Sequence, residues 1–374
     1  MWNDIDCRYT SGVTATRPDG NFHEAVSADL QGPGRRVTIR DVALEAGVSV
    51  SAVSKVLRNA YGVSPAMRAN VTESMERLGY RPHAGARTLR GSSYTIGVMM
   101  VSLASHFQPE IAESINEELG TTPYQDILIT AASSEQQQQS IQALVDRQMD
   151  GLILISPSMD REWLEHLGAR VPTVVIARHG GGNNFDTVVD DDYLGARLMV
   201  DHLVALGHRS IAHTSEVSHG LDGTSVLSQT ARCRGYEQAM QVHGLPPEVI
   251  VAGYSEVGGF RAAGKLLARA ERPTAIFAGA DIAAFGVLRA AEDLGLRVPL
   301  DLSVTGYDNI FAAGLGRVSL TTVDQNGHLT GSISARLLLE RIGGRVKPVH
   351  HVVTPRLLVR GTTSPPPLAV RFGT

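Results

Sequence analysis

The stretch from residue 37 to residue 80, VTIRDVALEAGVSVSAVSKVLRNAYGVSPAMRANVTESMERLGY, constrains this chain more than any other. It reads as three short helices in succession. Thr38 is a favoured N-cap, and Asp41 three residues on can close a capping box. Val42, Ala43 and Ala46 make one apolar face, and Ala43 is small enough to let a second helix approach. Gly47 falls where the first helix needs a left-handed residue to end. Val48 fills the corner, Ser49 can cap the next helix, and Val53, Val56 and Leu57 return to the core. Ser51, Ala52, Ser54 and Lys55 are then left facing outward, on the helix that in a helix-turn-helix enters the major groove of DNA. A third helix begins at Ser64-Pro65, a cap followed by proline in the first turn, and ends at Gly79.

Charge points the same way. From Arg35 to Gly91 there are ten lysines and arginines against four acids, a net of +6 in a chain whose total is −4. A basic head on an acidic body implies that a polyanion touches the head alone. The competing reading is a small helical bundle without DNA.

At 374 residues, 43% of them apolar, the chain has room for a small module and a large two-part domain. No apolar run approaches the ~18 residues of a membrane span. The first residues, MWNDIDCRYTSG, are polar and acidic, unlike a secretory signal. Cys7 and Cys233 match no zinc spacing and read as free thiols of a cytoplasmic protein, with neither metal nor cofactor expected. The organisation read from these signals is a disordered tail over 1–35, a helix-turn-helix domain over 36–81, a hinge helix or linker over 82–93, a core over 94–363, and a flexible tail over 364–374.

Within the core, apolar runs alternate with amphipathic stretches. TIGVMMV, DILIT, GLILIS, TVVIA, SIAHT, TAIFAG and LSVTGY read as strands. Residues 110–119, 135–147, 194–206, 230–243, 258–270 and 282–294 read as helices. Continuous apolar strands between helices imply buried parallel sheets, and a core this long implies two doubly wound halves with a cleft between them. The fold class is therefore α/β: a three-helix head followed by two parallel-sheet subdomains.

The motifs VTIRDVALEAGVSVSAVSKVL, LGYRPHAGARTLR, HLVALGHRSIA, AIFAGAD, LRVPLDLSVTGYDN and LTTVDQ, in that order, resemble the lactose-repressor/galactose-repressor family of bacterial transcription regulators. The resemblance runs from Val37 to about Gly361. It implies a homodimeric repressor that binds a palindromic operator. It also implies a hinge helix that folds on DNA, and a core like the periplasmic sugar-binding proteins around a small effector. In the head it places Val50, Ser51 and Lys55 at base-reading positions, and Thr38, Ser49, Ser54 and Ser64 at phosphates; Arg58 adds a phosphate contact. Lys55 stands where Arg is commoner, a point charge in place of a planar fork. For Ser49 and Ser64 capping alone is an equal reading. In the hinge, Leu89 matches the leucine that wedges open the central base step, with Arg87 beside it as a further DNA contact. An apolar linker residue is the plainer role for Leu89. Gly85 should leave this hinge less ordered without DNA.

In the core, Arg232 and Asp308 match effector-cleft positions, with Phe107 and His106 as further contacts from the loop after the first strand. Structural ion pairing, a core phenylalanine and a solvated histidine are the respective alternatives. Many sugar-binding members carry Asp where this chain has Ala177, Asn where it has Ala280, and Asp-x-x-Asn-Pro where it has Ser102, Ser105 and His106. The expected effector is therefore not a common hexose. The prolines of SPPPLAV leave no helix for pairing dimers into tetramers.

Four features read as decoys. The stretch 259–266, GFRAAGKL, lacks the hydroxyl of a phosphate-binding loop and reads as a helix start. Asp190, Asp191 and Asp192 read as the capped start of a helix rather than a metal site, 136–139 as an exposed glutamine face, and His350-His351 as part of a strand. The rival function is a solute-binding protein of the periplasmic type without a DNA role, which shares the core but not the basic head. No nucleophile–base spacing suggests an enzyme.

Overall fold

The computed structural model describes residues 37–57, 60–80, 92–104, 106–216 and 226–367. The chain divides into two units, the first ending at Pro82 and the second beginning at His83. In the first, α1 (Ile39–Glu45), α2 (Val50–Leu57) and α3 (Pro65–Arg77) close around Val42, Ala43, Val53, Val56, Val71 and Tyr80. Local chemistry fixes each helix end. The Thr38 amide and hydroxyl both donate to Asp41 Oδ2 at 2.8 Å. Gly47 adopts φ +63° after α1. Ser49 and Ser64 accept from the amides of Ala52 and Met67, each at 3.2 Å. Asn70 Nδ2 donates to the Ala46 carbonyl at 2.9 Å, tying α3 to the end of α1. Caps of this kind stabilise a helix by about 1 kcal/mol each, which matters in a module this small.

The second unit holds two parallel sheets. One has the order β13-β6-β4-β3-β1-β2, built from His350–Val353, Asp186–Asp190, Thr173–Ile176, Gly151–Ile155, Thr95–Met100 and Gln125–Thr130. The other runs β11-β10-β7-β9, from Ser303–Thr305, Ala275–Ala278, Ile211–Ser215 and Glu248–Val251. The seven apolar runs all become strands of these sheets. Their inner members are buried on both faces, because helices cover each side. Against the first sheet lie α4 (Phe107–Leu119), α5 (Ser134–Asp146), α6 (Arg161–Gly168) and α11 (Gly327–Ile342). With the second go α7 (Asp192–Ala205), α8 (Ser228–Val242), α9 (Glu256–Leu267) and α10 (Asp281–Asp293). Two short antiparallel pairs complete the fold, β5 (Arg178–His179) with β8 (Val226–Leu227) and β12 (Thr322–Asp324) with β14 (Arg356–Leu358).

The chain passes between the halves three times: from β6 into α7, from β12 into α11, and from β13 into β14. Each half keeps its own apolar core, and Phe107 packs against both. In the second half, α9 and α10 meet at glycines. A Cβ on Gly286 would lie 1.9 Å from the Glu256 carbonyl oxygen, and one on Gly259 2.0 Å from that of Ala283, so only glycine allows this approach.

Some readings need correction. Phe107 opens helix α4 rather than lying in a loop. Gln137 is buried and accepts from the Ser158 amide at 2.9 Å, so the glutamine run is not uniformly exposed. Ser364 is tied down: its amide donates to Ser303 Oγ at 3.1 Å and its carbonyl lies 2.9 Å from His208 Nε2, so ordered chain continues past residue 363. The remaining tail beyond residue 367, residues 1–36 and most of the hinge stretch lie outside the described residues.

Candidate functional site

The outer face of α2 follows from its pattern. Val53 and Val56 are buried, while Val50, Ser51 and Lys55 are exposed. Ser54 is half-buried one turn further round. Ser49 and Ser51 share a hydroxyl–hydroxyl bond of 2.9 Å, so the Ser51 side chain is oriented before any ligand arrives. Thr38 and Ser64 are exposed at the starts of α1 and α3, each hydroxyl already engaged in capping. Capping and an outward hydroxyl thus coexist at both. Arg58, Gly85, Arg87 and Leu89 lie outside the described residues.

A second site lies at the C-terminal ends of the core strands. Its centre is Arg232 on α8, which is 3% exposed. Its Nε and Nη2 donate to Asp192 Oδ1 at 3.2 and 2.9 Å, and its Nη1 donates to the Gly279 carbonyl. The guanidinium carbon lies 3.5 Å from the Tyr307 ring centroid and 5.7 Å from that of Tyr254. Asp192, fully buried at the start of α7, meets His179 Nε2 with its other oxygen at 2.8 Å. The Tyr307 hydroxyl donates to Asp190 Oδ2. The β6–α7 junction thus supplies three successive carboxylates: Asp190 ends β6, Asp191 caps α7 through the Leu194 amide at 3.0 Å, and Asp192 holds the arginine.

Asp308 sits at the end of β11 with φ +118°, beside Asn309 at φ +57°. Strained backbone of this kind persists where the surroundings hold it. Gln325 donates to its Oδ1. Arg232 and Asp308 are electrostatic neighbours, but the carboxylate hydrogen-bonded to Arg232 is that of Asp192. Asp281, beneath them, is satisfied by neutral donors, Thr322 Oγ1 at 2.6 Å and the Ile310 amide at 2.9 Å. Ala280 occupies the N-cap of α10 with no side-chain bond, and Ala177 is left-handed at φ +60°. His106 is exposed and left-handed at φ +61°, before α4, and makes no capping bond. Ser102 turns its hydroxyl to the Ala104 amide at 3.0 Å, and Ser105 is outside the described residues.

Burial, reinforced by Asp192, pushes the Asp190 carboxyl up to about 8. Burial also lifts Asp308 well above the carboxylate range, against the pull of Arg232. Among the described residues, the polar atoms buried without a partner beside this cluster include Asp190 Oδ1, Ser228 Oγ and the Tyr254 hydroxyl. Ser228 precedes Arg232 by one helical turn on α8. Orphaned buried polar atoms are costly, so each calls for a physical explanation.

Sequence reasoning found Arg232 and Asp308 but missed Asp190, Asp192, Tyr254 and Ser228. The available signal was the triple aspartate directly after an apolar run. Only the middle carboxylate does the capping expected of the run.

Two family models match the chain: "Bacterial regulatory proteins, lacI family" over residues 38–83, and "Periplasmic binding protein-like domain" over 200–363. Catabolite control protein A of Priestia megaterium is 34% identical over 309 residues, covering 81% of this chain and 91% of that protein. The HTH-type transcriptional repressor PurR of Edwardsiella ictaluri is 32% identical over 340 residues, covering 88% and 98%. Among solved structures, the lac repressor dimer bound to operator and the anti-inducer ONPF superposes with a TM-score of 0.73 at 29% identity, over 88% of this chain and all of that one.

Proposed function

The chain belongs to the lacI family of bacterial regulatory proteins, and from that membership we propose how it reads DNA and what adjusts its grip. It is a sequence-specific DNA-binding transcriptional repressor modulated by a small molecule. Val50, Ser51 and Lys55 read base edges from α2. Thr38, Ser49, Ser54 and Ser64 hold phosphates, joined by Arg58. Arg87 and Leu89 act from the hinge, Leu89 as a wedge in the minor groove. The observation that carries this reading is the exposed trio on a helix fixed by caps and buried valines, since specificity needs side chains held in one register.

The effector lies between the two core halves. Arg232, Asp308 and the open atoms around them bind it, with His106 and Phe107 at the margin. Ala177 and Ala280 offer no polar group where a hexose would need one, so common hexoses do not serve. The protein acts as a homodimer on a palindrome. Edge strands β2 and β9 expose Ile127, Leu128 and Val251, apolar edges that a second copy would cover. Among the described residues no helix is long and apolar enough to cross a membrane.

The test is selection of a preferred site from random duplex DNA, then gel shifts with Lys55→Ala and Ser51→Ala. Each should lose about 1–3 kcal/mol of discrimination while non-specific binding persists. Equal loss on selected and random DNA would remove base reading from these residues.

A further inference from the structure

The polar groups of the cleft are unevenly matched. Its buried arginine is already paired: Nε and Nη2 lie on Asp192, Nη1 on the Gly279 carbonyl, and one face on Tyr307. Nearby basic groups are engaged as well. His179 meets Asp192, Arg178 donates to the carbonyls of Pro157 and Met159, and Arg360 donates to Asn309 and to the Leu320 carbonyl. Asp190 and Asp308 remain, with Asp192, in electrostatic contact with that single guanidinium. Asp190 is 6% exposed, and its Oδ1 has no donor. Independently of the acids, Ser228 is also 6% exposed with an unpartnered hydroxyl, one turn from Arg232, and the Tyr254 hydroxyl is likewise open.

We infer that the cleft takes a small organic cation, an ammonium compound, and refuses carboxylates and phosphates. This rests on the reading of the cleft as the effector site. The open atoms are a carboxylate oxygen and two hydroxyls, all able to accept. An ammonium brings three donors and no acceptor. An anion would have to compete with Asp192 for the guanidinium of Arg232. An arriving positive charge also favours the ionised form of Asp190, which burial alone disfavours. The faces of Tyr254 and Tyr307 beside Arg232 show that the same pocket wall already accommodates a cation.

The experiment uses the full chain and three probes that differ only in their polar group: cyclohexylammonium, cyclohexanol and cyclohexanecarboxylate. Melting temperature is followed against concentration for the native chain, Asp190→Asn and Tyr254→Phe, each variant referred to its own probe-free value. The ammonium alone should raise the melting temperature, and Asp190→Asn should abolish that rise. No rise with the ammonium, or an equal rise with the alcohol or the carboxylate, overturns the inference. If the alcohol or carboxylate stabilises the native chain but neither variant, the cleft still binds a ligand, of another class. If a probe's effect survives in both variants, the ligand sits elsewhere and the effector-site reading falls too. Tyr254→Phe keeps the ring and removes one open atom, so it decides the matter should Asp190→Asn not fold.

Discussion

Asp192 holds Arg232 from the second half of the core and His179 from the first, with no solvent on its side chain. Removing one partner of such a pair strands a buried charge, at a cost of about 3–5 kcal/mol. Asp192→Leu should therefore lower the urea midpoint sharply, and adding Arg232→Leu should restore much of it. A double variant no more stable than the single one would mean that the pair is not coupled. His213, on β7 (Ile211–Ser215), is fully buried, stacked on Tyr236 with ring centroids 4.9 Å apart, and bonded through Nδ1 to the Phe277 carbonyl at 2.9 Å. Burial pushes its pKa down to about 3. Its unfolded form protonates near 6.5, so the native state holds fewer protons between those values. Its contribution is then complete above pH 6.5 and is lost as pH falls towards 3, by up to about 1.4 kcal/mol per unit. His213→Phe should be less stable than the native chain at pH 7, and the gap should narrow on acidification in paired chemical denaturations. At this scale the sequence was legible where neighbours set the role, as for Thr38, Gly47 and Ser49. It was silent where the partner lies far along the chain: Asp192 is paired with an arginine 40 residues on.

Helices α9 and α10 touch backbone to backbone through Gly259 and Gly286. Gly286→Ala should push them apart and cost about 1–3 kcal/mol. Gly264, also in α9, has open space around its Cβ position and an ordinary backbone. Gly264→Ala should instead stabilise by up to about 1 kcal/mol through lower chain entropy. Urea midpoints moving in the same direction for both would contradict the assigned contact. Long apolar strands and amphipathic helices were readable because their periodicity comes from burial on a regular element. Strands β5, β8, β12 and β14 have only two or three residues each. Too short to show a period, they exist because the larger elements bring their ends together. Helix α11, at sixteen residues, hid for a different reason: its opening GHLTGSIS places small and polar residues on buried positions against α4.

For the whole molecule, dimerisation has a plain measurement. Sedimentation at micromolar concentration should give a dimer, and Val251→Glu with Leu128→Glu should shift it towards monomer while the circular dichroism stays native. A persistent dimer would move the interface off the two edge strands. The two-part α/β plan with a basic head was legible because composition and charge change abruptly along the chain. The return of the last strands to the first half was not, since β13 joins β6 across some 160 residues, as in the pairing of His350 with Thr187.

That return sets the order in which a nascent chain can mature. The head needs nothing beyond Tyr80 for its core, so it can close while most of the protein is still unmade. The first sheet must wait for residues 327–353, which supply α11 and β13. A ribosome that stops early thus releases a folded reader attached to an unfinished sensor, with β6 an open edge ready to pair with other chains. Such a fragment would carry the head without the finished dimer interface and without the effector cleft.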